Sequence, residues 1–141
     1  MLTVSAAIGA AATFVWLGMV VAISFIEAPL KFRAAGVTVP IGLGIGQLVF
    51  RALNIAEALL AGVIVIAVAT GRPPVGVLVA VTVAVVVLIV QLVGVRPRLA
   101  RRSRAVLAGQ DAPRSRAHHA YVALEVVKVF ALVAAGVAFL S

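Results

Sequence analysis

Residues 75–95 read VGVLVAVTVAVVVLIVQLVGV, a run of 21 positions whose only polar members are Thr82 and Gln91. A hydrocarbon core about 30 Å thick takes about 20 apolar residues of helix to cross, so this run is long enough to span a bilayer. Its valines favour strand by propensity. Membrane strands, however, alternate lipid-facing and lumen-facing residues over about 10 positions, and no alternation is present here. Backbone groups in lipid are satisfied either within a helix or around a closed barrel, and the chain has too few such runs to close one. The run is predicted to be a helix.

Three other stretches read the same way. Leu2 to Ile26 carries no charge and is closed by Glu27-Ala28-Pro29; without an N-terminal Lys or Arg it is not expected to be a cleavable signal. Ile55 to Thr70 is apolar, and its helix is predicted to begin earlier, near Thr38-Val39-Pro40. The last runs from about Ala120 to Leu140 and contains Glu125 and Lys128. Gly71-Arg72-Pro73-Pro74 predicts a tight turn, and Pro97 predicts a stop or kink. Gly109 to Pro113 predicts a helix end and a new start, with Asp111 as N-cap and Pro113 in the first turn. Between Pro29 and Leu48 lie Pro40 and four glycines. A helix from Val39 to Thr70 would be about 48 Å long, so tilting, kinking or a preceding segment at the membrane surface is expected there.

The predicted fold is therefore all-α: one transmembrane domain, a four-helix bundle with spans at about 2–27, 40–70, 75–95 and 113–140. Composition agrees. The 141 residues are 65% hydrophobic and 11% charged, with no cysteine, and a soluble fold of this size could not bury so much apolar surface. The absence of cysteine removes disulfides, thiolate metal sites and redox pairs. The net charge of +8 points to topology and not to nucleic acid. Ten of the twelve Lys and Arg residues fall on one side, in the connections between spans one and two and between spans three and four or in the helix segments that lead into spans two and four. The positive-inside rule then predicts a multi-pass protein of the cell membrane with both termini extracytoplasmic. Arg98, Arg101, Arg102 and Arg104 are placed to meet anionic lipid head groups at the cytoplasmic face.

Ionisable residues inside a membrane cost about 2.5–3.5 kcal/mol each on insertion scales and are functional candidates by default. Here they gather in one half of the bundle. Glu27 ends the first span, Asn54 and Glu57 follow Arg51 at i+3 steps, and Gln91 sits inside the third. His118, Tyr121, Glu125 and Lys128 fall within an arc of roughly 80° on the last helix. These eight residues, Glu27, Asn54, Glu57, Gln91, His118, Tyr121, Glu125 and Lys128, are expected to line a hydrated pocket open to the cytoplasm. The pocket would bind or transport an ion, metal or small polar solute, with Glu57 and Glu125 as the ligand or proton-carrying groups, Lys128 as counter-charge and His118 as a gate. Four helices seldom enclose a whole pathway, so a homodimer is expected in that case. Two other readings stay open: an accessory subunit whose charges only hold the bundle together, and a small membrane enzyme using Glu and His in acid–base chemistry. No cofactor is predicted. A divalent metal on His118 and Glu125 is conceivable by ligand type alone, and no Walker, Ser-His-Asp or dinucleotide motif occurs.

Pro29-Leu30-Lys31-Phe32 closing the first span, Phe50-Arg51-Ala52-Leu53-Asn54 entering the second and His118-His119 entering the last resemble an uncharacterised family of small four-span membrane proteins. That family is grouped loosely with the copper-resistance protein D superfamily. The resemblance implies four helices and a role in handling metals or toxic compounds, and it brings no catalytic residues. Where the family's last span tends to carry Asn, this chain has Glu125.

Overall fold

The computed structural model describes residues 1–111 and 116–141. Four helices carry the chain: α1 (Val4–Arg33), α2 (Val39–Gly71), α3 (Val75–Leu107) and α4 (Arg116–Leu140), each long and apolar enough to cross a membrane. No strand occurs among the described residues. The helices pack as a bundle in which α1 lies against α2 and α4, and α4 lies against α3. Helices α2 and α3 meet mainly through the arginine-rich last segment of α3.

Helix ends follow local chemistry. The Thr3 hydroxyl accepts from the Ala6 N–H at 3.1 Å and starts α1; Thr38 does the same for α2 with the Ile41 N–H at 3.4 Å. With Pro40 in its first turn, α2 then runs unbroken for 33 residues. Its length is therefore accommodated in one continuous helix. Two of the glycines serve packing, since a Cβ on Gly42 would overlap the Phe32 ring and one on Gly46 would press on the Lys31 ammonium. The predicted turn at residues 71–74 forms, with Arg72 in the left-handed region at φ 47 and Pro73-Pro74 barring continuation. Helix α3 ends at Gly109, where the Gln110 N–H reaches the Ala105 carbonyl at 2.9 Å and the Gly109 N–H reaches Val106 at 3.0 Å, the Schellman arrangement. Asp111 is exposed and lies outside any helix; the first turn it was expected to cap, with Pro113, falls on 112–115, outside the described residues.

Two helices run further than their prolines predicted. The first span was expected to close at Glu27-Ala28-Pro29 but continues to Arg33; the third was expected to end near Val95 but passes Pro97 to reach Leu107. In both, a π-helical turn ends two residues before the proline: Val21–Glu27 before Pro29, and Gln91–Val95 before Pro97. The wider i→i+5 bonding, Ala28 N–H to Ile23 and Arg96 N–H to Gln91, takes up the misfit that a proline ring would force on an α-helix.

Hydrophobic force between helices is weak in lipid, so close packing of small side chains carries association. The core is built that way. Ala10, Ala12, Ala61, Ala80, Ala84, Ala131 and Ala135 are buried beside Trp16, Ile64, Leu132 and Phe139. Phe130, Leu48, Ile66 and Val93 stand on the outer surface, as a lipid-facing bundle requires.

Candidate functional site

Each helix brings one or two polar side chains to one buried cluster. Lys128 is central in α4, twelve residues and so about 18 Å from either end of that helix. Gln91 is central in α3, on its π turn. Glu57 comes from α2, and Trp16 and Ser24 come from α1, Ser24 on the other π turn. Glu57, Gln91, Glu125 and Lys128 are all 2% exposed or less.

Lys128 is the hub. Its ammonium reaches Glu57 Oε2 at 2.5 Å, Glu125 Oε1 at 2.6 Å and Gln91 Oε1 at 2.7 Å, one acceptor for each of its three N–H groups. The Trp16 indole N–H donates to the same Glu57 oxygen at 2.7 Å. The Ser24 hydroxyl donates to Glu125 Oε2 at 2.7 Å, and the Gln91 amide donates to Glu125 Oε1 at 3.4 Å. Both oxygens of Glu125 are thus engaged. Glu57 differs, because its Oε1 is buried without a hydrogen-bond partner. With every group ionised, two carboxylates face one ammonium, leaving one negative charge unmatched.

Four of the eight predicted site residues meet here: Glu57, Gln91, Glu125 and Lys128. Instead of lining a hydrated pocket they bond directly to one another. Two clefts among the described residues lie elsewhere, one of about 200 Å³ between the chain termini and Arg72-Pro73-Pro74, the other of about 290 Å³ among Val21, Phe25, Val126 and Val129. Of the other four predicted residues, Tyr121 borders the cluster, its hydroxyl toward Glu125 one turn on, and three stay outside it. Glu27 is half-buried and its nearest cation is Lys31, at 3.7 Å, one helical turn on. Asn54 is half-buried one turn before Glu57 and makes none of the cluster's hydrogen bonds. Tyr121 packs edge-on to Phe50, centroids 5.9 Å apart. His118 stacks edge-on to His119 at 5.6 Å and lies ten residues, about 15 Å along the axis, from Lys128.

Among the described residues no three His, Cys, Asp or Glu side chains gather as a metal-binding group. His118 and Glu125 are seven residues apart on one helix, about 10 Å, and Glu125 is committed to Ser24, Gln91 and Lys128. Of the arginines expected to meet lipid, Arg98, Arg101 and Arg104 are exposed on the last segment of α3, and Arg102 is half-buried.

Sequence reasoning missed Trp16 and Ser24. A usable signal existed for the first. Tryptophan in membrane proteins gathers at the two interfaces, whereas Trp16 is in mid-span, where its indole N–H needs a buried acceptor. No protein-family model, curated protein or solved structure matches this chain.

Proposed function

We propose that this protein is a proton-handling protein of the cell membrane in which the Glu57–Lys128–Glu125 cluster takes up and releases one proton. The observation that carries the reading is Glu57 Oε1, a buried carboxylate oxygen without a partner in a cluster that holds one carboxylate too many. A lone charge withdrawn from water costs several kcal/mol even after relaxation. A proton on Oε1 removes both the unmatched charge and the unsatisfied atom. Glu125, with both oxygens bonded, serves as the fixed counter-charge of Lys128, and Glu57 is the exchanging group.

The basic end faces the cytoplasm in this reading, in keeping with the positive-inside rule. Protons arrive past His118 and Asn54, which lie on that side of the cluster. The opposite half of the bundle is apolar, so complete passage requires a second copy, and the transporting unit is a homodimer. A purely structural role is favoured by one feature, the match of three acceptors to the three N–H groups of Lys128.

Infrared titration separates the two. The purified protein in lipid is expected to show one protonated-carboxyl C=O band per chain that titrates with pH, shifts in D₂O and is missing from Glu57→Gln. If no band titrates, or if the titrating band persists in Glu57→Gln, the proton reading is wrong and the structural one stands.

A further inference from the structure

We infer that Arg96, with Tyr121 and Phe50, forms a binding site for a phosphate-class oxyanion at the basic end of the bundle. This site adjoins the buried cluster on its basic side, Tyr121 lying one helical turn from Glu125. Arg96 follows the π turn of α3, Tyr121 lies in the second turn of α4, and Phe50 comes from α2. The guanidinium carbon is 4.2 Å from the Phe50 ring centroid and 4.5 Å from that of Tyr121. The two rings stand at 89° to one another, so the cation is seated in a corner of two aromatic faces.

Such stacking satisfies the charge over the rings but uses none of the N–H donors, which project from the edge of the guanidinium plane. Arg96 Nε and Nη2 are buried without a hydrogen-bond partner, while the Tyr121 hydroxyl faces Glu125 one turn on. Nε and Nη2 make up one side of the guanidinium fork, the edge that takes two oxygens of a phosphate or carboxylate at once. No carboxylate of the described residues forms an ion pair with Arg96. A second cation, the Lys31 ammonium, lies 5.7 Å from the same Phe50 ring, and its one acidic partner, Glu27, is at 3.7 Å. The corner therefore holds two cations to one carboxylate, and two N–H donors on one edge of Arg96 are buried without acceptors.

An oxyanion with two adjacent oxygens completes it. Tyr121 is seven residues, about 10 Å, nearer the basic end than Lys128, and a phosphodiester of the lipid head-group layer or a free phosphate supplies the same acceptors. The exposed arginines of the same helix attract anions by charge alone. Arg96 is different because it is held in place and offers a defined edge.

Binding is measured on purified protein in zwitterionic nanodiscs, titrated separately with phosphatidylglycerol and with inorganic phosphate at fixed ionic strength. Native mass spectrometry gives retention of lipid, and ³¹P line broadening gives retention of phosphate. Wild-type protein is expected to hold one equivalent. Arg96→Lys keeps the charge and loses the fork, and should weaken binding about tenfold; Tyr121→Phe keeps the ring and should weaken it several-fold. Arg101→Gln, on the exposed face, should change it less than about twofold. Retention of phosphatidylglycerol alone identifies a lipid site, and retention of inorganic phosphate identifies a solute site. Failure of the unmutated protein to retain either, or an Arg96→Lys variant that binds like wild type, overturns the proposal without depending on any variant's folding.

Discussion

Replacing Lys128 by Met is expected to destabilise the protein by about 3–5 kcal/mol, the usual cost of leaving a buried charge without its partner. Lys128 is the one cation of the cluster and holds acceptors from α2, α3 and α4. Without it, two buried carboxyl groups and a glutamine oxygen face each other in a space that excludes water. Removing the whole ionic set, Glu57→Gln and Glu125→Gln together with Lys128→Met, should recover most of that loss, because apolar or neutral replacement of a buried ion set is often neutral. Denaturation in mixed micelles of increasing SDS content measures both. A Lys128→Met protein as stable as wild type would mean that the ammonium is not compensating buried carboxylates.

The second large effect is functional. In proteoliposomes containing a pH-sensitive dye, Glu57→Gln is expected to reduce proton movement to the level of protein-free vesicles. The substitution conserves shape and keeps an oxygen for the Lys128 ammonium and the Trp16 indole, so the bundle should remain folded. It removes the exchanging group and makes the cluster neutral with Lys128 and Glu125 alone. Ser24→Ala, which takes one donor from Glu125 and leaves both charges, should retain flux. Equal flux in wild-type and Glu57→Gln vesicles would remove Glu57 from the path.

Much of this could be read from the sequence, and the missing parts share physical causes. The four spans were legible because runs such as residues 75–95 exceed the membrane's thickness with almost no polar atoms. The continuation of α1 through Pro29 and of α3 through Pro97 was not legible, since a π turn leaves no compositional mark. Glu57, Gln91, Glu125 and Lys128 were legible because polar groups in an apolar helix are expensive enough to be there for a reason. Periodicity nevertheless gives the angle around a helix and not a contact. His118 shares a face with Lys128 but lies too far along the axis to join it, and Tyr121, on the same face, reaches only as far as Glu125, one turn on. Trp16 and Ser24 escaped because a tryptophan counts as hydrophobic and a serine is common at helix contacts.

The central claim, that Glu57 on α2 and Lys128 on α4 belong to one charge balance, is tested most directly by a double-mutant cycle. The free energy of unfolding is measured for wild type, Glu57→Gln, Lys128→Met and the double variant. The account predicts that Lys128→Met costs clearly less in the Glu57→Gln background, with a coupling of roughly 1–3 kcal/mol. Additive losses, within about 0.5 kcal/mol, would show that the two side chains act independently and would contradict the account.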